Sequence, residues 1–111
     1  MESTVTRLPD GTAVIRPEGR LNMVSADRLR SGIETLVSDG CGRVVVDLAE
    51  VSFMDSSGLG ALIGGVKAAR RAGGDLRIAA PPDQVRLVLR LTNMERILPP
   101  HDTVESAVQG G

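Results

Sequence analysis

Arg43-Val-Val-Val-Asp-Leu48 is the stretch of this sequence that decides the fold. Three consecutive valines leave no alternation of apolar and polar faces, which is typical of a strand that is buried on both sides in a parallel sheet. We therefore predict that these residues form the central strand of a sheet covered on both faces.

The residues before this strand predict a hairpin and then a helix. Pro17 is expected to end the second strand of the hairpin, Asn22 or Ser25 to cap the helix, and Asp39-Gly40 to end it. The predicted elements are a strand over Thr4–Leu8, a turn at Pro9-Asp10-Gly11, a strand over Ala13–Arg16, and a helix with Ala26, Leu29, Ile33, Leu36 and Val37 on its buried face.

The residues after the valine strand alternate between helical and extended patterns. Ala72-Gly73-Gly74 is expected to end the second helix, and Pro99-Pro100 to stop a short strand. The predicted elements are a helix with Leu59, Leu62, Ile63, Val66 and Ala69 on one face, a strand over Asp75–Ala80, a helix opened by Pro81-Pro82-Asp83, a strand over Arg96–Leu98, and a last helical segment over Asp102–Val108.

This order, ββαβαβαβα, predicts an α/β fold: a mixed, mostly parallel sheet with an N-terminal hairpin and flanking helices. The length of 111 residues fits one domain over residues 1–111, with an ordered core at about 4–108. Partners and ligands of such sheets meet the carboxyl ends of the strands, here the loops at residues 19–25 and 49–60.

Composition excludes several classes of function. The formal net charge is −1 and Phe53 is the only aromatic residue, so we expect no binding of nucleic acid or of a membrane. The single cysteine, Cys41, cannot form an intramolecular disulfide, and together with the single histidine, His101, it cannot make a four-ligand zinc site unless carboxylates supply most of the ligands. With no signal peptide and no run of 18 apolar residues, we expect a cytoplasmic protein without a metal or cofactor.

Enzymatic motifs are incomplete in this chain. Ser56-Ser57-Gly58 is not a nucleophile elbow, and His101 follows a proline pair near the chain end, so we expect no enzyme. Gly58, Gly60 and Gly64 resemble a dinucleotide-binding fingerprint, but the third glycine comes one residue late. Gly58, Gly60, Gly64 and Gly65 are better explained by close packing of a helix on the sheet, which leaves a small nucleotide-binding domain as an alternative.

Asp55-Ser56-Ser57-Gly58 precedes the second helix and allows two interpretations. Either Asp55 or Ser56 is simply the N-cap of the helix. Alternatively, an exposed serine hydroxyl accepts a phosphate there, since the amino end of a helix favours an anion. The spacing alone does not choose between them.

The wider segment reads Val44-Val-Val-Asp-Leu-Ala-Glu-Val-Ser-Phe-Met-Asp-Ser-Ser-Gly-Leu-Gly60, and it is followed by an Ala/Leu/Ile-rich helix and Ala72-Gly73-Gly74. This whole stretch closely resembles the bacterial anti-sigma factor antagonists of the STAS domain family. The resemblance extends over nearly the whole chain. It implies a partner-switching regulator of transcription, as in bacterial stress responses, and not an enzyme. It also implies that Ser56, directly after the aspartate, is the phosphorylated residue and Ser57 its neighbour.

The resemblance further implies the partners. The unphosphorylated protein would bind an anti-sigma factor, a GHKL-type serine kinase, and thereby release a sigma factor. The kinase would phosphorylate the serine, and a PP2C-type phosphatase would restore the unphosphorylated form. Arg20 and Asn22 stand where this family often has acidic residues. This departure supports an alternative, a STAS scaffold of a signalling assembly without phospho-switching.

The expected partner surface combines two loops and the exposed side of the second helix. Leu21, Met23 and Val24 are apolar residues in a predicted connecting loop, where polar residues are more common. An inward-folded staple on the first helix would explain them equally well. The residues assigned to this surface are Leu21, Asn22, Met23, Val24, Asp55, Ser56, Ser57, Gly58 and Leu59.

Overall fold

The valine strand does form the centre of the sheet, and the predicted α/β class is confirmed. The computed structural model describes residues 2–109, so residues 1, 110 and 111 of the expected domain lie outside the described residues. The strands are β1 (Glu2–Arg7), β2 (Ala13–Leu21), β3 (Arg43–Asp47), β4 (Val51–Met54), β5 (Asp75–Ala79) and β6 (Pro100–His101). The helices are α1 (Ala26–Ser38), α2 (Ser56–Arg71), α3 (Asp83–Leu91) and α4 (Val104–Gln109), with a 3-10 turn at Met94–Arg96.

The sheet is mixed, as expected. Its order is β1-β2-β3-β5-β6, and only the β1–β2 hairpin is antiparallel among the described strand pairs. Strand β2 is long enough to have two parallel partners in succession: its first residues pair with β3, and its last residues pair with β4. A register shift between Gly19 and Arg20 accompanies this change of partner.

Successive valines of β3 point to opposite faces of the sheet and enter two separate apolar clusters. Val44 and Val46 belong to the main core, which also holds buried side chains of α1, α2 and α3. Val45 lies in a smaller cluster with Ala107 of α4. Burial on both faces explains why this strand lacks the alternation of a half-exposed one.

The expected strand end at Pro17 is wrong, because β2 continues to Leu21. Proline is tolerated at this position because it falls between the two parallel partners. Pairing with β3 ends at Ile15 and pairing with β4 begins at Gly19, so among the described residues Pro17 faces only β1, opposite Ser3. Tertiary pairing therefore overrides the local proline signal.

The expected strand at Arg96–Leu98 is also wrong. Asn93 adopts a left-handed conformation with φ of 57°, and a 3-10 turn follows it over Met94–Arg96. The strand comes later, where Pro100 pairs with Ile78 of β5. Proline can occupy the first residue of such a short edge strand, so Pro100 begins the strand instead of stopping it.

Candidate functional site

Strand β4 places the candidate site at the carboxyl edge of the sheet. Residues 49–60 are predicted from the sequence to form a loop, but Val51–Met54 form a short parallel strand beside the end of β2. Leu21 pairs with Met54, and the Asp55 N–H donates to the Leu21 carbonyl at 3.2 Å. The two predicted loops, one after each strand, therefore lie side by side, as expected.

Asp55 is the N-cap of α2. Its backbone is extended, and its Oδ1 accepts a hydrogen bond from the Gly58 N–H at 3.0 Å. The Asp55 carbonyl accepts the next bond, from the Leu59 N–H. Of the two candidates, Asp55 is therefore the residue that caps the helix, and Ser56 is not.

Ser56 is the first residue of α2 and its side chain is exposed. Its hydroxyl makes no hydrogen bond within residues 2–109, so it is not engaged in holding the helix. Ser57 beside it is partly buried. The Ser57 hydroxyl also makes no hydrogen bond among the described residues, so the two serines differ in exposure, and Ser56 is the more accessible one at a helix amino terminus whose first N–H groups have no partner within the helix.

The glycines at the start of α2 differ in what they do. A Cβ on Gly58 would overlap the Leu21 carbonyl oxygen and lie 2.7 Å from the Leu21 Cγ, so only glycine allows α2 to begin this close to β2. Close packing is likewise the explanation for Gly65, where a Cβ would lie 2.8 Å from Leu76 Cδ1. Close packing does not explain Gly60, where a Cβ would meet no described atom within 4 Å. At Gly64 a Cβ would make only an ordinary contact, 3.5 Å from Arg30 Nε.

The loop between β2 and α1 is held by two polar side chains. Asn22 Oδ1 accepts from the Val24 N–H at 3.0 Å, and Ser25 Oγ donates to the Arg20 carbonyl at 2.6 Å. Ser25 precedes α1, yet in the described part of the chain its hydroxyl bonds no helical N–H of α1. The two expected capping residues therefore shape the loop instead of capping the helix through a side chain.

This loop exposes two large apolar side chains. Met23 is 75% exposed and Val24 is 84% exposed, so they do not fold inward onto α1. Leu21 behaves differently: it is the last residue of β2 and is fully buried. The prediction that Leu21 lies in the connecting loop is wrong, because the extra pairing with β4 extends β2 to this residue.

Two further residues of the expected surface are also buried. Leu59 is only 6% exposed and packs in the main core, and Gly58 lies against β2. They can shape the site but offer little side-chain surface to a partner. The exposed part of the site is thus Met23, Val24 and Ser56.

Two contacts beside the site had no clear signal in the sequence. Gln84 of α3 bonds both backbone groups of Met54, with its Oε1 2.8 Å from the Met54 nitrogen and its Nε2 2.9 Å from the Met54 oxygen. The Arg20 guanidinium lies over the Phe53 ring, 4.8 Å from its centroid. A cation stacked in this way is attracted to the ring face, and the pairing of Arg20 with Phe53 in adjacent strands explains the contact.

Over residues 2–109, no group of three or more His, Cys, Asp or Glu residues is arranged to hold a metal ion. None of the helices described combines the length and hydrophobicity needed to cross a bilayer.

The family follows from the comparison with known proteins. The STAS domain family model matches residues 3–107, and the chain belongs to this family. The anti-sigma F factor antagonist of Paenibacillus polymyxa is 28% identical over 99 residues, covering 88% of this chain and 85% of that protein.

Solved structures agree with this assignment. An anti-sigma factor antagonist from Mycobacterium paratuberculosis has a TM-score of 0.86 at 27% identity, covering 98% of this chain and 92% of the other. A Thermotoga maritima protein, provisionally named an anti-sigma factor antagonist, has a TM-score of 0.89 at 25% identity, covering 97% and 92%. The family resemblance seen in the sequence is therefore confirmed.

Proposed function

We propose that this protein is an anti-sigma factor antagonist controlled by phosphorylation of Ser56. In its unphosphorylated form it binds an anti-sigma factor, a serine kinase of the GHKL type, and so releases a sigma factor. The kinase phosphorylates Ser56 and ends the binding, and a PP2C-type phosphatase restores it. The protein acts in the cytoplasm by binding and not by catalysis.

The observation that carries this proposal is the free hydroxyl of Ser56 at the start of α2. Because Asp55 caps the helix, Ser56 is not needed as a cap and its hydroxyl is available to a kinase. The segment Asp55–Gly58 also carries the resemblance to the antagonist family, and relatives that match most of the chain bear that name.

The partner surface is proposed to surround Ser56. Met23 and Val24 supply apolar contacts from the neighbouring loop, while the buried Leu21 and Gly58 support it from beneath. An apolar pair next to a modifiable serine suits a reversible interface, because a phosphate added there must be desolvated when the partner binds.

The test uses three forms of the protein as bait in an extract of its native cells. They are the unmodified protein, the protein with phosphoserine at position 56, and a control with phosphoserine at position 38. Ser38 is exposed at the far end of α1, about 20 Å from its start at 1.5 Å per helical residue. We expect the unmodified and Ser38-phosphorylated forms to capture the same anti-sigma factor, identified by mass spectrometry, and the Ser56-phosphorylated form to lose it.

Two results would contradict the proposal at different levels. Equal capture by all three forms would show that phosphorylation of Ser56 is not the switch. Capture of no anti-sigma factor by any form would remove the antagonist function itself.

A STAS scaffold without phospho-switching is the second candidate. It is favoured by Arg20 and Asn22, which engage their own chain at positions where the antagonist family often has acidic residues. Incubating the unmodified protein with native extract and ATP separates the two candidates, because a scaffold would acquire no phosphate on Ser56.

A further inference from the structure

The open edge of β4 is closed by a side chain and not by a strand. β4 pairs with β2 on one edge, where the Asp55 N–H reaches the Leu21 carbonyl. The backbone N–H and C=O groups of successive residues in a strand point to opposite edges. Those of Met54 therefore point away from β2, to the other edge of β4. There the carboxamide of Gln84 both accepts from the Met54 N–H, at 2.8 Å, and donates to the Met54 carbonyl, at 2.9 Å.

This arrangement fixes the segment that leads to Ser56. Met54 is fully buried, so its backbone groups have no access to water if Gln84 is removed. Asp55 is held by β2 on one side and Met54 by α3 on the other, which leaves the start of α2 in one position. Ser56 is only two residues from Met54, whereas Gln84 lies 30 residues from Met54 in the chain.

We propose that Gln84 is the positioning residue of the phosphorylation site: by completing the edge of β4, it keeps Ser56 in the exposed position that the kinase requires. This inference rests on the proposed function. Gln84 is partly buried in the first turn of α3 and acts through Met54, so it need not touch the kinase or the phosphate. The effect of Gln84 should therefore appear in how efficiently the kinase phosphorylates Ser56.

The test compares substitutions at the two glutamines of the described chain. Gln84→Met keeps the length of the side chain and removes both hydrogen bonds, while Gln84→Glu keeps the acceptor for the Met54 N–H and loses the donor. Gln109→Met is the matched control, because Gln109 is exposed at the end of α4. Each protein is incubated with native extract and ATP, and the initial rate of Ser56 phosphorylation is measured over a range of protein concentrations.

We expect Gln84→Met to lower kcat/KM at least tenfold, chiefly through KM, with Gln84→Glu between it and the wild type and Gln109→Met unchanged. Amide hydrogen exchange should become faster at Met54 and stay slow at Val44–Val46 of the core. This exchange pattern separates local release of β4 from general unfolding.

The outcomes separate this inference from the proposed function. If wild-type protein gains no phosphate on Ser56, the proposed phospho-switch is wrong. If wild-type Ser56 is phosphorylated and Gln84→Met has the same kcat/KM, the positioning role is wrong. Unchanged exchange at Met54 in Gln84→Met would also overturn it, and if Gln84→Met does not fold, Gln84→Glu decides by the same two measurements.

Discussion

Two glycines of α2, only two residues apart, should respond to alanine with opposite signs. At Gly58 the added Cβ would overlap the Leu21 carbonyl oxygen and lie 3.0 Å from Met54 Cγ. At Gly60 it would meet no described atom within 4 Å. The pair shares the same helix, so the difference isolates packing from helix propensity.

The magnitudes follow from these contacts. In both positions alanine gains up to about 1 kcal/mol of helix propensity over glycine. At Gly60 that gain is the whole effect, so Gly60→Ala should stabilise by about 0.5–1 kcal/mol. At Gly58 the overlap is with backbone, which cannot move cheaply, so overpacking should cost about 2–3 kcal/mol. After the gain in helix propensity, a net loss of about 1–2 kcal/mol remains.

Thermal unfolding followed by far-ultraviolet circular dichroism is the suitable assay, since the sequence has neither Trp nor Tyr as a fluorescent probe. The melting temperatures of the two variants should differ by roughly 6 °C or more, at about 4 °C for each kcal/mol. A Gly58→Ala variant as stable as Gly60→Ala would refute the close approach of α2 to β2.

Three other predictions concern the proposed surface. Phosphorylation of Ser56 should lower anti-sigma factor affinity about 100-fold in calorimetric titration while the melting temperature hardly moves; a strongly lowered melting temperature, or phosphate on Ser57 instead, would contradict it. Met23→Glu should weaken binding at least tenfold at unchanged stability, and unchanged affinity would remove Met23 from the interface. Leu59→Glu should instead unfold the domain, because it buries a carboxylate; a native-like urea midpoint would count against this.

Local patterns predicted the elements whose signals are contained within one segment. The valines of β3 indicated a doubly buried strand, and the apolar spacing of α2 indicated a helix after Asp55. Both features depend on residues close in sequence, so no knowledge of the partner strands was needed. The same holds for Ser56, whose place at a helix start follows from the run Asp55–Gly58.

The predictions from sequence were wrong where an element distant in the chain decides the local conformation. Pro17 suggests a strand end, yet β2 continues because β4, more than 30 residues later, pairs with its last residues. The same pairing buries Leu21. Gln84 gave no signal because its role depends on two backbone groups of Met54, and backbone groups carry no trace in a sequence pattern.

The geometry around Ser56 allows a phosphate to change binding without changing the fold. In the free domain the phosphate would lie at the amino end of α2, where the unpaired N–H groups and the helix dipole favour an anion by about 0.3–1 kcal/mol. Repulsion from Asp55 opposes this gain, and the two effects largely offset one another. In a complex the same group, with a charge of about −1.5 to −2, would have to lose its water beside Met23 and Val24. Each tenfold loss of affinity requires only about 1.4 kcal/mol, so the desolvation of one dianion is sufficient for the switch. Partner affinity can therefore fall by orders of magnitude while folding stability stays nearly constant.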